Sequence, residues 1–181
     1  MNKLSFSPFP QLTTKKLVLR QLLAEDAKSI YGYQSNKSNF PYVDLPVYKS
    51  ADQADTYIEK MNKGVADNKW IIWAIANRDT NEIIGTITLW SFSKENTRAE
   101  IGYVLYPEYR GFGYMQEALI KVVEYGLGTL KLNVIDAYTN KQNTKSIALL
   151  KKCHFTKHGT FVDTETYSGE PMEMDIYLIR R

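Results

Sequence analysis

The chain has a single cysteine, Cys153, in 181 residues, and its basic and acidic side chains nearly cancel. One cysteine excludes an internal disulfide and is typical of a reducing compartment. The formal net charge is +3, from 23 basic and 20 acidic residues. The basic residues are scattered, and their longest runs are pairs such as Lys15-Lys16. This distribution argues against a surface that binds nucleic acid or acidic membranes by charge.

Long apolar runs are also missing. No stretch approaches the roughly 20 apolar residues of a membrane-spanning helix, and the opening MNKLSFSPFPQL has prolines where a secretory signal has its apolar centre. We therefore expect a cytoplasmic protein with no membrane or nucleic-acid partner. What is present, 44% hydrophobic and 24% charged residues, is typical of a globular protein. The length fits one domain spanning residues 1–181.

The apolar periodicity predicts seven strands and four helices. The strands are predicted at 15–22, 70–76, 82–90, 98–106, 132–139, 155–163 and 172–180. The helices are predicted at 24–33, from Ser50 to a stop at Gly64, at 113–127 with a stop at Gly128, and at 145–152. Strand-turn-strand units mixed with strand-helix-strand units predict the α/β (α+β) class. We expect one mixed, mostly antiparallel twisted sheet of six to seven strands, with helices on both faces.

The stretch PEYRGFGYMQEAL, residues 107–119, places two glycines at the start of a predicted helix. Glycines there expose backbone N–H groups, and a helix start attracts anions such as phosphate. A simple tight turn would need the same glycines. The spacing is not that of a P-loop, because no G-x-x-x-x-G-K-[ST] occurs, and the dinucleotide fingerprint would need glycine where Gln116 stands.

Several ordered motifs resemble the GNAT acetyltransferase family over nearly the whole chain. They are LTTKKLVLRQL, EIIGTITL, AEIGYVLYPEYRGFGYMQEAL and NTKSIALLKKCHF. The family motif [Q/R]-x-x-G-x-[G/A] reads Arg110 to Met115 here, with Met115 departing from the small sixth residue. The RGxGYM form is similar to the Rim-type ribosomal-protein N-alpha-acetyltransferases. In the last motif His154 stands where the family pattern has glycine.

The resemblance implies an enzyme that uses acetyl-CoA as co-substrate and no metal. Backbone N–H groups of the glycine loop would bind the cofactor's diphosphate, the preceding strand would pair with its pantetheine arm, and an amide near Val104 would stabilise the oxyanion. The implied cofactor residues are Val104, Leu105, Arg110, Gly111, Phe112, Gly113, Tyr114, Met115 and Asn143. Ser146 would protonate the departing thiolate, because Leu150 occupies the position of the tyrosine that other members use. Asn143 and Ser146 are equally explained as helix caps.

Glu100 is our candidate general base, acting directly or through water, with Asp136 and Asp44 as weaker candidates. A solvated carboxylate at a strand start explains Glu100 equally well. Covalent catalysis by Cys153 with His154 is disfavoured, because adjacent residues on a helix point in different directions. These two residues and His158 are too few for a metal site.

A single base suits an N-terminal α-amine, which loses its proton more easily than lysine. We expect the loop 34–49 and the first two helices to shape the acceptor site, with Tyr31, Tyr33, Tyr42 and Tyr48 as candidate walls. Two alternatives stay open: an acetyltransferase for an antibiotic, polyamine or metabolite, and a non-catalytic acyl-CoA sensor. Homodimers are frequent in similar enzymes, so a second copy of the chain is a further candidate partner.

Overall fold

A computed structural model describes residues 4–181, which form eight strands and four α-helices. The strands are β1 (Leu12–Thr13), β2 (Leu17–Arg20), β3 (Ile71–Asn77), β4 (Ile83–Trp90), β5 (Arg98–Leu105), β6 (Val134–Asn140), β7 (Thr156–Asp163) and β8 (Met172–Arg180). The helices are α1 (Ala27–Gln34), α2 (Asp52–Ala66), α3 (Tyr114–Glu124) and α4 (Thr144–Lys152).

All eight strands belong to one sheet with the order β1-β2-β3-β4-β5-β6-β8-β7. Only β5 and β6 run parallel; every other pair is antiparallel. The mixed, mostly antiparallel sheet is confirmed. Six to seven strands were expected, and the eighth is the two-residue β1, which is too short to produce an alternating pattern.

Helices cover both faces of the sheet, as predicted. Trp73 packs edge-on against Tyr125, directly after α3, with ring centroids 5.5 Å apart. The neighbouring Trp70 packs against Gly64 of α2, from the opposite face, as alternation along the chain requires. We call the α3 side the donor face and the α2 side the acceptor face. α4 lies on the donor face, where its Ser146 contacts Tyr103 of β5.

Two glycines predicted to end helices are part of longer elements. Gly64 lies inside α2, where an added Cβ would fall 2.0 Å from the indole of Trp70, so the residue is needed for close packing. The prediction of a stop there was wrong, because a helix-ending glycine and a packing glycine look alike in sequence. Gly128 lies in a π-helical turn, Tyr125–Thr129, that extends α3 beyond Glu124.

The backbone conformation at His154 shows how the chain departs from the family pattern, which has glycine at this position. Its φ of 66° is left-handed, the conformation that favours glycine after a helix. The N–H of Phe155 donates to the carbonyl of Leu150 at 3.0 Å, and both side chains are buried. This 6→1 bond and apolar contact are those of a Schellman ending, so the structure keeps the glycine geometry without the glycine.

Candidate active site

The site is a gap in the sheet between β5 and β6. The two strands pair only from Arg98 with Val134 to Ile101 with Ala137. Beyond that point β5 continues along β4, and β6 continues along β8. The two parallel strands therefore separate into a V that opens at the carboxyl end of β5. Ligands of α/β sheets bind at such ends.

The backbone of β5 alternates between β4 and the open V. Tyr106 donates its N–H to the carbonyl of Ile84 at 2.9 Å, which fixes the phase of this antiparallel ladder. Val104 therefore faces β4, whereas Tyr103 and Leu105 direct their N–H groups into the V. Gly85 sets this geometry, because an added Cβ would lie 2.2 Å from the carbonyl oxygen of Val104. Of the two predicted strand residues, Leu105 faces the V and Val104 does not, and Tyr103 was not predicted.

The glycine loop after β5 presents a cluster of unpaired N–H groups. Gly111 and Gly113 have φ of 88° and 81°, and added Cβ atoms at these positions would meet nothing within 4 Å. The first backbone N–H bonded at the start of α3 is that of Glu117, which donates to Gly113 at 3.1 Å. Within residues 4–181, no acceptor takes the N–H groups of residues 111–116. Six donors at the positive end of a helix form an anion site.

Lys16 adds a positive charge to this loop, and sequence reasoning missed it. Its ammonium donates to the carbonyl of Phe112 at 3.2 Å and lies 5.3 Å from the ring centroid of Tyr114. Glu117 fixes the segment to α3 by accepting from the N–H of Lys16 at 2.7 Å and from the hydroxyl of Thr14. The pair Lys15-Lys16 is visible in the sequence, but the residues that Lys16 contacts, Phe112 and Glu117, lie about a hundred residues further along the chain.

The side chains of the predicted loop residues have different environments in the structure. Arg110 donates to the carbonyls of Leu105 at 3.0 Å and Asn39 at 2.7 Å, so its side chain braces the loop. Met115 is buried in the core, which accounts for an apolar residue where the family motif has a small one. Phe112 is 63% exposed. The loop therefore offers its backbone, and not these side chains, to a ligand.

On the donor face, Ser146 and Asn143 stand at the start of α4 beside the V. Asn143 caps the helix, because its Oδ1 accepts from the N–H of Ser146 at 3.1 Å. The hydroxyl oxygen of Ser146 lies 2.9 Å from that of Tyr103. The capping interpretation of Asn143 is confirmed, while the hydroxyl of Ser146 points to β5. Cys153 is buried, and burial raises the pKa of its thiol.

Glu100 lies on the acceptor face, opposite Ser146, as alternation from Tyr103 requires. It is half-buried between Trp90 of β4 and Asp136 of β6. Burial, and then the negative charge of Asp136, raise its pKa to about 7. Arg98 holds the buried Asp136 carboxylate through a bidentate ion pair. Asp136 is thus held by Arg98, whereas Glu100 has no ion-pair partner within residues 4–181.

A groove of about 280 Å³ runs through the V to the acceptor face. Its walls come from loop 42–44, from the ends of β5 and β6, from α4 and from the β7–β8 hairpin. Three carboxylates, Asp44, Asp163 and Glu165, line it, and no lysine, arginine or histidine among residues 4–181 does. Asp44 also joins the two loops by accepting from the N–H of Ser168 at 2.8 Å.

Of the four predicted wall tyrosines, the structure brings only Tyr42 to this groove. Tyr33 is buried and stacks on Tyr106 with ring centroids 5.1 Å apart, beside a second hollow of about 340 Å³. Tyr31 and Tyr48 pack partly buried against the core. The aromatic side chains that sequence reasoning missed at the groove are Tyr103, Tyr138 and Tyr167.

No group of histidine, cysteine, aspartate and glutamate within residues 4–181 could hold a metal ion. No helix in that part of the chain is both long and apolar enough to cross a membrane.

The comparisons with known proteins agree with this geometry. Residues 16–156 match the acetyltransferase (GNAT) domain family. The uncharacterised N-acetyltransferase YoaA of Bacillus subtilis is 36% identical over 171 residues, which cover 94% of this chain and 97% of YoaA. The spermidine N(1)-acetyltransferase of Vibrio cholerae is 25% identical over 154 residues, covering 85% and 87% of the two chains. The chain therefore belongs to the GNAT acetyltransferase family.

The solved structures show the same fold. RimL, a ribosomal L7/L12 alpha-N-protein acetyltransferase in complex with coenzyme A, superimposes with a TM-score of 0.83 at 18% identity, covering 94% of this chain and 98% of RimL. The protein is an N-acetyltransferase that acts on amines with acetyl-CoA as co-substrate. The residues present fit that co-substrate, because the loop N–H cluster suits a diphosphate and the open edge of β5 suits a pantetheine amide.

Proposed function

We propose that the protein transfers the acetyl group of acetyl-CoA directly to the N-terminal α-amine of a protein. The observation that carries the proposal is Glu100, a half-buried carboxyl on the acceptor face next to the point where β5 and β6 separate, with its pKa raised to about 7. Such a base matches an α-amine of pKa about 7.8, whose neutralisation at pH 7 requires about 1 kcal/mol. A lysine amine of pKa about 10.4 requires about 4.6 kcal/mol.

In this proposal the donor binds along the V from the donor face. The N–H groups of residues 111–116 and the ammonium of Lys16 hold the diphosphate. The pantetheine amides pair with the open edge of β5 at Tyr103 and Leu105, and Asn143 bonds the arm from the other side. The thioester then lies between Glu100 on one face and Ser146 on the other.

The chemistry follows from that placement. Glu100 accepts a proton from the amine, through a bridging water, and the amine nitrogen forms a bond to the thioester carbon. A backbone N–H at the end of β5 stabilises the oxyanion; one such donor is worth about 3 kcal/mol of barrier. When the C–S bond breaks, sulfur keeps the electron pair and takes a proton from Ser146. Solvent then returns Glu100 and Ser146 to their starting protonation states. Overall, the amine loses one proton and the thiol of coenzyme A gains one.

A polyamine or another small polycationic amine is the second candidate acceptor. The observation that favours it is the groove wall, where Asp44, Asp163 and Glu165 form no ion pair with any basic side chain of residues 4–181. These carboxylates attract an acceptor that carries a second positive charge and favour its binding over that of an acceptor without one. The likeness to the Vibrio cholerae spermidine enzyme supports the same candidate.

An acceptor screen tests these candidates. The protein is mixed with acetyl-CoA and, separately, with N-terminal peptides, their N-terminally blocked counterparts, polyamines and aminoglycosides. Free thiol is followed, and the product is located by mass spectrometry. Turnover only on unblocked peptides supports the α-amine proposal. Turnover only on small polyamines replaces it with the second candidate. Tight acetyl-CoA binding with no turnover on any acceptor would indicate the sensor and contradict both.

A further inference from the structure

Tyr103 and Ser146 bring two hydroxyls together at the V, from different elements. Tyr103 comes from the central part of β5, and Ser146 from the first turn of α4; their oxygens are 2.9 Å apart. We propose that Tyr103 is a positioning residue: its hydroxyl donates to Ser146 and directs the serine's single proton into the V, toward the departing sulfur. This inference rests on the acetyl transfer proposed above.

The direction of the hydrogen bond follows from acidity. A phenol, with an ordinary pKa of about 10, is a stronger donor than an aliphatic alcohol. Burial raises the pKa of Tyr103 to about 12, against the opposing effect of the bond to Ser146. Tyr103 therefore keeps its proton at neutral pH and donates it to the bond. Ser146 accepts through a lone pair, which leaves its own proton for another acceptor.

The local structure removes the usual alternative for that proton. A first-turn serine commonly caps its helix or bonds back to a carbonyl of the preceding turn. At this helix the cap is Asn143, whose Oδ1 takes the N–H of Ser146 at 3.1 Å. With the cap supplied by Asn143 and one lone pair taken by Tyr103, the free side of the Ser146 hydroxyl faces the groove that both residues line.

The proton-transfer step balances with these groups alone. The C–S bond of the tetrahedral intermediate breaks and its electron pair goes to sulfur. The Ser146 proton moves to sulfur and completes the free thiol of coenzyme A. In the same step a water in the groove gives a proton to the serine oxygen, so no free alkoxide forms beside the more acidic Tyr103 phenol. Tyr103 stays protonated and contacts Ser146, not the reacting atoms.

A double-mutant cycle tests this role. Tyr103→Phe keeps the ring and removes the hydroxyl, so kcat should fall about tenfold, equal to about 1.4 kcal/mol, while KM for acetyl-CoA stays unchanged. In a Ser146→Ala background the same substitution should change kcat less than twofold, because Tyr103 acts only through Ser146. Tyr125→Phe is the matched control: it loses a hydroxyl on the same face of the sheet, away from the V, and should keep full activity.

Each outcome decides the point. Wild-type kcat in Tyr103→Phe overturns the inference, and so does an equal loss with and without Ser146, which would indicate a structural role. A change in KM with kcat unchanged would likewise indicate a structural role and overturn the inference. Failure of the proposed function would be seen in a different measurement, because the wild-type protein would then bind no acetyl-CoA or acetylate no acceptor. Activity in the wild type with a silent Tyr103→Phe leaves the acetyl transfer intact and removes only the role of Tyr103.

Discussion

The two ends of the groove are built in different ways. At the donor end, the groups proposed to bind the ligand are mostly backbone N–H groups of one stretch of chain, those of Tyr103, Leu105 and residues 111–116. At the acceptor end, they are side chains from loop 42–44, β6 and the β7–β8 hairpin, which lie far apart in the chain. A backbone site depends on conformation and tolerates many side chains, whereas a side-chain site changes with each substitution. This contrast explains how family members can share a donor and differ in acceptor.

The largest expected effect is a loss of acetyl-CoA affinity when the backbone conformation of the glycine loop is changed. Gly113→Val places a branched side chain at φ 81° and in front of the N–H cluster. We expect at least a hundredfold loss of acetyl-CoA affinity by titration calorimetry. Gly128→Ala is the control, since an added Cβ there also meets nothing within 4 Å and the position lies away from the loop. Equal affinity in both variants would contradict the loop as diphosphate site.

The next effect concerns Glu100, on the acceptor face next to the closed end of the V. The base works as the carboxylate, so kcat/KM of the wild type should rise with pH through about 7. Glu100→Gln should lower the rate about a hundredfold and leave only the rise caused by the acceptor amine itself, near pH 7.8 for an α-amine. Glu124→Gln, an exposed glutamate of α3, is the control. A superimposable pH profile in Glu100→Gln would exclude Glu100 as the base.

The same residue gives a stability prediction with a definite sign. Because the pKa of Glu100 is raised from 4.5 to about 7 in the folded protein, folding favours its protonated form. Glu100 therefore lowers the free energy of unfolding as pH rises from about 5 to 8. Glu100→Gln should remove that loss, about 1 kcal/mol after solvent screening of a half-buried group. Urea unfolding at pH 5 and pH 8 measures it; identical pH dependence would contradict the burial of the charge.

A smaller effect tests whether a side chain contributes at the donor end. Lys16→Met should weaken acetyl-CoA binding about fivefold and reduce its dependence on salt, because an exposed ammonium contributes about 1 kcal/mol. Lys15→Met removes the same charge from the neighbouring exposed position and is the control. If both variants bind equally, the lysine acts only through overall charge.

The smallest effect sharpens the acceptor end. Asp163→Asn combined with Glu165→Gln should raise KM about threefold for an acceptor with a second positive charge and leave a singly charged acceptor unchanged. Glu170→Gln, on the same hairpin and exposed, serves as the control. An equal change for both acceptors would show that these carboxylates shape the loop without selecting charge.

What could be predicted from the sequence follows the same division. The segment from β5 to α3 was predicted well, because strand alternation, two glycines and a helical stripe lie next to one another in the chain. Tyr103 and Lys16 were missed, because their partners are 43 and 96 residues away. The interpretation of Gly64 was wrong for a similar reason: its partner, the Trp70 indole, is a packing contact that no local pattern reveals.

The acceptor walls were the least predictable part. Tyrosines near the first two helices were a reasonable expectation, yet the fold buries Tyr33 beneath Tyr106 and brings Tyr138 and Tyr167 to the groove instead. Their positions depend on how β6 and the β7–β8 hairpin approach loop 42–44. That approach depends on contacts between segments far apart in the chain, which no local sequence pattern reveals.

The central claim is that the donor lies in the V between β5 and β6 with its diphosphate on the loop amides. A crystal structure of the protein with acetyl-CoA tests it most directly. We expect diphosphate oxygens within hydrogen-bond distance of N–H groups in residues 111–116 and the pantetheine arm alongside Tyr103 and Leu105. A nucleotide bound in the second hollow near Tyr106, or a pantetheine arm that lies outside the V, would contradict the account.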